Sequence, residues 1–162
     1  MTLHNIITYC DFIDFYFNNT LNITKTDIKN NYLKLLGELT NVDELDNKLF
    51  ETNLNKINSM GKIIIGYVLD NKTNYFEIIG SGTVIIEPKI IRGGKSVAHI
   101  EDIVVKSNWR GKKISQSILN QLKDWAKINN CYKIILDCDE KVLNVYKSNG
   151  FDIKGIQMGL YF

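Results

Sequence analysis

An acidic residue and a phenol stand nine positions apart near the carboxyl end of the chain. Asp137 ends the strand-like run 133–137, and Tyr146 lies on a short amphipathic segment that Asn149 and Gly150 bring to a stop. A hydrophobic core does not need a carboxylate there, whereas general acid–base chemistry uses both groups. The alternative is that Asp137 or Asp139 only caps a following helix, and Asp139 is the better placed of the two.

A basic loop that precedes a helix is the second candidate for chemistry. The segment SNWRGKKIS, residues 107–115, follows a predicted strand and opens the clearest helical pattern of the chain. Unpaired backbone N–H groups and the positive end of the helix dipole would face an anion there, and Lys112 and Lys113 would add charge. The only arginines are Arg92 and Arg110, and arginine suits bidentate anion recognition. The loop therefore predicts a phosphate site, with solvated surface charge as the alternative.

Hydrophobic periodicity predicts a mixed α/β domain that positions these groups. Helices are expected from a cap at Thr26 to Leu39, from Asp43 through Leu54, and over 110–129 and 139–148. Strands are expected over 62–70, 75–87, 97–106, 133–138 and near 151–161. The consecutive strand, helix and strand over 97–138 predict a parallel βαβ unit. Gly80 and Gly82 inside a strand predict a β-bulge or a close backbone approach.

Composition and charge narrow the class of protein. The 162 residues and the formal net charge of +2 suit a single domain, residues 1–162, with no requirement for nucleic acid or a membrane as a partner. The three cysteines, Cys10, Cys131 and Cys138, form no C-x-x-C pair, so neither a disulfide framework nor a zinc site is indicated. The first ten residues do not form a signal-peptide pattern, so we expect a cytoplasmic protein.

Four segments carry a resemblance to a known family. They are LKLLGELT (33–40), GTVIIEPKII (82–91), HIEDIVV (99–105) and CYKIILDCDEK (131–141). Through them the chain resembles the glucosamine 6-phosphate N-acetyltransferases, a branch of the GNAT N-acetyltransferase superfamily. The resemblance implies the GNAT fold: a mixed, mostly antiparallel sheet with a splayed pair of parallel strands and flanking helices. It also implies transfer of acetyl to the 2-amino group of glucosamine 6-phosphate, a step of UDP-N-acetylglucosamine biosynthesis.

Acetyl-CoA is the co-substrate that the resemblance implies, without a metal. In the family, this molecule lies between the two splayed strands, which here are those of HIEDIVV and KIILDC. The splay leaves strand N–H and C=O groups unpaired, and pantetheine can satisfy them. The pyrophosphate is expected on the basic loop. The implied cofactor residues are Ile103, Val104, Val105, Arg110, Gly111, Lys112, Lys113, Ile114, Ser115 and Asn144.

The resemblance gives Asp137 the place of the acid beside the substrate amine, and Tyr146 that of the phenol at the departing thiolate. An amine must be neutral to attack a thioester, but an aspartate with an ordinary pKa of about 3.9 is a weak base for it. We therefore expect Asp137 to orient the amine and to relay its proton through water. His4 and His99 lack a suitable companion for a base, and His99 is expected to be a strand residue.

The acceptor residues are likewise implied by the resemblance. They are Thr40, Lys89, Ile90, Ile91, Arg92, Glu101, Asp102, Tyr132 and Lys133. Glu101 and Asp102 are consecutive and would point to opposite faces of a regular strand, so both can line one site only if the strand is bulged. Tyr132 and Lys133 are expected to reach the site of a neighbouring subunit, which implies a homodimer.

Three departures from the family distinguish this chain. Ser115 and Lys113 stand where glycines are usual, and Asn144 lies two positions later than the family's asparagine. The last four residues, 159–162, carry no charge, whereas the family commonly ends in basic residues that reach the partner's sugar phosphate. The uncharged end predicts weaker or altered phosphate recognition. Two alternatives therefore accompany the main hypothesis: an acetyltransferase for another small amine, and a catalytically silent acyl-CoA-binding domain.

Overall fold

The computed structural model of the chain describes residues 6–73 and 75–162, which build one five-stranded sheet flanked by helices. The strands are β1 (Ile7–Asp11), β2 (Gly61–Asp70), β3 (Tyr75–Glu87), β4 (Ser96–Val105) and β5 (Cys131–Ile135). The helices are α1 (Phe12–Asn18), α2 (Lys25–Leu36), α3 (Asn47–Met60), α4 (Ile114–Ile128) and α5 (Leu143–Ser148). Neighbouring strands follow chain order and are antiparallel, except for the parallel pair β4–β5. The mixed sheet and the βαβ unit agree with the sequence predictions.

The two faces of the sheet carry separate hydrophobic cores. Helices α1, α2 and α3 cover one face with an aromatic cluster that includes Phe12, Tyr32 and Phe50. Helix α4 covers the other face with Ile114, Ile118 and Leu122, each nearly inaccessible to solvent. This apolar stripe was predicted from the helical period, and burying each such side chain contributes about 1.5–3 kcal/mol.

Side-chain caps set where the first three helices begin. The Thr24 hydroxyl accepts from the Asp27 N–H at 3.1 Å, and the Asp46 carboxylate accepts from the Leu49 N–H at 2.9 Å. The predicted cap at Thr26 was therefore wrong by two residues, and the predicted start at Asp43 lies four residues before Asn47, where α3 begins. Strand β1 and helix α1, capped by Asp11, were not predicted.

Glycines in β3 mark bulges and close contacts, as predicted. The β2–β3 register shifts beside Gly80, and the β3–β4 register shifts across Gly82. A Cβ atom at Gly80 would lie 2.7 Å from the Ile114 side chain, and one at Gly82 would collide with Ile103. The bulge opposite Gly82 falls in β4, where Asp102 adopts a left-handed backbone with φ of 53°.

The carboxyl-terminal region differs from the prediction in five respects. Strand β5 ends at Ile135 rather than at 138, and α4 begins at Ile114 rather than at 110. The predicted helix 139–148 is a short 3-10 turn followed by α5. Asp139 precedes that turn without a side-chain capping bond, so its predicted capping role was wrong. Residues 151–162, the C-terminal tail, form no strand because they have no paired neighbour in a single chain.

Within residues 6–73 and 75–162, no helix has the length and apolar character needed to cross a membrane. Cys10, Cys131 and Cys138 are free thiols.

Candidate active site

The parallel strands β4 and β5 separate beyond their first few residues. Their pairing runs only from Ser96 opposite Cys131 to His99 opposite Ile135. The remainder of β4, Ile100–Val105, has no β5 partner, and we call it the open edge of β4. Its backbone N–H and C=O groups on that side are available to an extended ligand, since strand groups must find partners somewhere. The predicted splay is present.

A cavity of about 770 Å³ lies beyond the end of β5. Its walls come from the end of β5 and the residues after it, from α5, and from the C-terminal tail. Both Asp137 and Tyr146 line this cavity, and Asn144 lies on the same wall. The structure therefore brings the acid and the phenol predicted from the sequence to one enclosed space, which we call the β5–tail cavity.

Tyr146 is held at the junction of α5 and the tail. Its ring meets the Phe151 ring edge-on, with centroids 6.1 Å apart, and the Phe151 N–H donates to the Tyr146 carbonyl at 3.1 Å. Burial, aided by the Cys138 sulfur, raises the pKa of the Tyr146 phenol above its ordinary value of 10.0. The hydroxyl is thus protonated at neutral pH and can donate a proton.

Three carboxylates, those of Glu101, Asp102 and Asp137, lie close enough to interact near the open edge of β4. Burial first, and then the negative charges of Asp102 and Asp137, raise the pKa of Glu101, while His99 opposes the shift. The bulge at Asp102 explains how consecutive acidic residues serve one region. Such a negative environment favours an ammonium group on a ligand. Among the described residues, no group of His, Cys, Asp and Glu side chains has a metal-binding arrangement.

His99 has an acidic companion that the sequence did not indicate. Its Nε2 lies 2.7 Å from Glu87 Oε2, and the other oxygen of Glu87 binds Lys89. Both contacts, Lys89 first, hold the pKa of Glu87 below its ordinary value. His99 is a strand residue as expected, although the prediction that it has no companion was wrong. His4 lies outside the described residues.

The basic loop has the backbone shape of an anion site. Gly111 and Lys113 adopt left-handed conformations, with φ of 78° and 61°, and α4 begins at the next residue. Lys113 provides no side-chain cap, so the N–H groups of the first turn, around Ser115, point out of the helix without a capping partner. Lys112 lies over the Trp109 ring at 4.2 Å.

Arg110 is bound by other protein groups. Its guanidinium donates to Glu38 at 3.2 Å, and its Nε donates to the Val105 carbonyl at 3.1 Å. Glu38 also accepts from the Ser107 backbone and hydroxyl. The arginine therefore ties the turn after α2, which carries Thr40, to the end of β4. The sequence held no signal for Glu38, which lies 72 residues from its partner.

The predicted phosphate cations lie at the far end of β5 from Asp137. The Arg92 guanidinium and the Lys133 ammonium stand 5.8 Å and 5.6 Å from the ring of Tyr132, which is the bulged residue of β5. Ile90 and Ile91 are exposed on the same loop. From Tyr132 to Asp137 an extended chain covers roughly 16 Å. A single chain thus does not bring these cations into the β5–tail cavity.

The amino-acid sequence is similar to those of known acetyltransferases. The model of the acetyltransferase (GNAT) family matches residues 34–151. Glucosamine 6-phosphate N-acetyltransferase of Arabidopsis thaliana is 34% identical over 137 residues, which are 85% of this chain and 91% of that protein. Glucosamine 6-phosphate N-acetyltransferase 1 of Dictyostelium discoideum is 37% identical over 83% of this chain and 85% of its own.

A crystal structure is similar over almost the whole chain. Glucosamine-6-phosphate N-acetyltransferase from Arabidopsis thaliana superposes with a TM-score of 0.79 at 28% identity, covering 97% of this chain and 99% of that one. Sequence and fold therefore agree on one relationship, and the resemblance carried by the four segments is confirmed.

Proposed function

The chain belongs to the GNAT acetyltransferase family, in the branch of the glucosamine 6-phosphate N-acetyltransferases, and we propose that it acetylates the 2-amino group of glucosamine 6-phosphate from acetyl-CoA. The products are N-acetylglucosamine 6-phosphate and CoA, as in UDP-N-acetylglucosamine biosynthesis. One observation carries the proposal: Asp137 and Tyr146 line the same cavity, and the charge of Asp137 also acts on Glu101 of β4.

The roles of the two residues follow from the reaction. Asp137 orients the acceptor amine and relays its proton to water, and the neutral nitrogen then attacks the thioester carbonyl. The C–N bond forms, the C–S bond breaks, and the Tyr146 hydroxyl donates its proton to the departing CoA sulfur. The nitrogen then loses its second proton to become the amide, and that proton restores the Tyr146 phenol through water. The raised pKa of Tyr146 supports this role because it keeps the donor protonated. Direct attack needs only an amine and a thioester, so the proposal includes no metal.

Acetyl-CoA binds along the open edge of β4 and on the basic loop. Pantetheine amides pair with backbone groups of Ile103, Val104 and Val105. The pyrophosphate lies on Gly111 through Ser115, where the first turn of α4 offers N–H groups and the positive end of its dipole. The Arg110 contact to Val105 contributes by positioning the strand end, and Asn144 adds a polar group from α5.

The acceptor site combines two copies of the chain. Glu101, Asp102 and Thr40 contact the sugar from the copy that holds the cofactor. Tyr132 and Lys133, with Lys89 and Arg92 of the substrate loop, bring the phosphate cations. Because the cation group and Asp137 lie at opposite ends of β5 within one chain, the partner's cation group completes the site.

The exposed tail supports a homodimer. Ile156, Met158 and Leu160 are 94%, 92% and 79% exposed in the single chain, and alternate apolar residues of this kind suit pairing with another strand. Free thiols suit a reducing compartment such as the cytoplasm.

A second candidate, an acetyltransferase for another small amine, is favoured by one feature. Within one chain, the Arg92 and Lys133 cations lie at the far end of β5 from Asp137. A charge-assisted bond to phosphate is worth about 1.5–3 kcal/mol, so acceptors without a phosphate compete better if these cations do not reach the acceptor.

Steady-state kinetics decide between the candidates. Release of CoA thiol is measured with glucosamine 6-phosphate, glucosamine and a simple alkyl amine. We expect kcat/KM for glucosamine 6-phosphate to exceed that for glucosamine by about tenfold or more. Equal efficiency with both sugars would favour the second candidate. If the protein binds acetyl-CoA but releases no CoA thiol with any acceptor, the result would favour a catalytically silent acyl-CoA-binding domain.

A further inference from the structure

The C-terminal tail makes a direct contact with the predicted catalytic carboxylate. The side-chain amide of Gln157 donates to Asp137 Oδ2 at 2.9 Å, across 20 residues of chain. Gln157 also lines the β5–tail cavity, together with the neighbouring tail residues Gly155 and Ile156. The tail is thus a wall of the cavity, and its one amide side chain there is aimed at the acid.

Asp137 needs such a partner because the sheet does not hold it. Strand β5 ends two residues earlier, at Ile135, so no ladder hydrogen bond fixes the backbone at Asp137. The side chain is exposed and could adopt several rotamers. A carboxylate has two oxygens and about four acceptor positions. An amide on Oδ2 therefore orients the group and leaves Oδ1 free.

We propose that Gln157 is a positioning residue for Asp137. Its amide holds Oδ2, and Oδ1 faces the acceptor amine or the water that relays its proton. This inference rests on the proposed function, since it assigns Gln157 a part in the same reaction. A glutamine suits the task because it donates a hydrogen bond without adding charge, whereas a glutamate would repel the carboxylate.

Other charged or titratable groups also lie near Asp137. Glu101 acts on it from β4, and the remaining groups line the β5–tail cavity. These are Cys138, Glu140, Tyr146, Asp152 and Lys154. Only Gln157 has a side-chain hydrogen bond to Asp137 among the described residues.

The test compares three single variants. Gln157→Leu removes the donor and Gln157→Glu replaces it with a negative charge, while Gln121→Leu makes the same change on α4, away from the cavity. We expect Gln157→Leu to lower kcat/KM for the acceptor about tenfold and to leave the KM for acetyl-CoA within about twofold. Gln157→Glu loses more because of the repulsion, and Gln121→Leu behaves as the parent protein.

The division of the loss between kcat and KM provides a readout that a general structural role would not give. A residue that positions Asp137 acts on the attack of the amine, so Gln157→Leu is expected to lower kcat for the acceptor while the KM for acetyl-CoA stays within about twofold. A general loss of structure would instead change both constants and the amount of folded protein. Unchanged kcat/KM for the acceptor in Gln157→Leu would overturn the proposal.

A double-variant comparison tests the path of the effect. If Gln157 acts through Asp137, adding Gln157→Leu to Asp137→Asn causes no further loss, since the positioned carboxylate is already absent. Independent, multiplying losses would instead assign Gln157 a separate role and overturn the inference.

A measurement without turnover separates this inference from the proposed function. In protein labelled with 15N, we expect the side-chain amide resonances of Gln157 to shift in Asp137→Asn while those of Gln121 stay in place. An unshifted Gln157 amide would refute the contact. A shifted amide in a protein that does not acetylate glucosamine 6-phosphate would retain the contact and reject the acceptor.

Discussion

Tyr146 is half-buried between α5 and the tail, and this burial sets the protonation state of its hydroxyl. Because burial raises its pKa above 10.0, the phenol is in its acid form at the pH at which an amino group begins to lose its proton. A donor that is already protonated and a nearly neutral nucleophile can therefore coexist in one cavity.

We predict that Tyr146→Phe lowers kcat about 100-fold, the range expected for the loss of a general acid. The KM for acetyl-CoA stays within about twofold, because the variant keeps the ring that packs against Phe151. Since the raised pKa keeps the parent phenol protonated, the ratio of the two rates is constant from about pH 7 to pH 9.

The matched control is Tyr9→Phe on β1, at the opposite edge of the sheet from β5. It is expected to have parent kinetics. A kcat of Tyr146→Phe equal to that of the parent would remove Tyr146 from the mechanism, and a ratio that collapses towards pH 9 would show that the phenol ionises earlier than its burial implies.

At the scale of single residues, local sequence predicted the acid and the phenol but not their partners. Asp137 and Tyr146 were visible because an acid at the end of an apolar strand is chemically conspicuous. Gln157 and Glu38 were not, since their contacts to Asp137 and Arg110 span 20 and 72 residues. A neutral amide between apolar tail residues has no periodic or compositional signal of its own.

The bulge in β4 interrupts the alternation that would place Glu101 and Asp102 on opposite faces of a regular strand. Gly82 of β3 leaves room for the Ile103 side chain, and the extra residue in β4 turns Asp102 into a left-handed conformation. That conformation costs a residue with a Cβ atom about 1–2 kcal/mol. The strand is strained where the acceptor is proposed to bind.

We predict that Asp102→Val is less stable than Asp102→Gly by about 1–2 kcal/mol, because glycine adopts a positive φ freely and a β-branched residue does not. Both variants lose the same charge, so the difference between their free energies of unfolding reports the cost of the positive φ at this position. Urea unfolding measures it, and Glu101→Val serves as the control at the neighbouring position, where φ is not positive. Equal stability of the two Asp102 variants would contradict the strained bulge.

Elements with strong periodicity were predicted well, and those shaped by distant contacts were not. The stripe of α4 and the whole of β3 were recognised, because each buries a regular face. Helix starts were misplaced because Thr24 and Asp46 compete with other polar residues close by as caps. The tail was expected to be a strand from its apolar alternation, but a strand needs a neighbour, which the single chain does not supply.

At the scale of the whole molecule, the single chain has two incomplete regions. The β5–tail cavity contains Asp137 and Tyr146, and the one lysine among its described lining residues, Lys154, is exposed and lies 3.9 Å from Asp152. The group formed by Arg92, Tyr132 and Lys133 contains the cations, but it lies at the end of β5 opposite to Asp137. In the proposed homodimer, the cation group of one chain would complete the cavity of the other.

We predict that two inactive variants restore activity when they share a dimer. Asp137→Asn removes the acid, and Tyr132→Ala with Lys133→Ala removes part of the cation group; each homodimer is expected to fall at least about tenfold in kcat/KM. A heterodimer purified through two different affinity tags contains one site with every residue intact and one site with both defects. It is therefore expected to show about half of the parent activity per dimer.

Homodimers mixed without subunit exchange provide the control and stay inactive. An inactive heterodimer would mean that Asp137 and Lys133 serve a site within one chain, and a monomeric parent protein in light scattering would reject the shared site altogether.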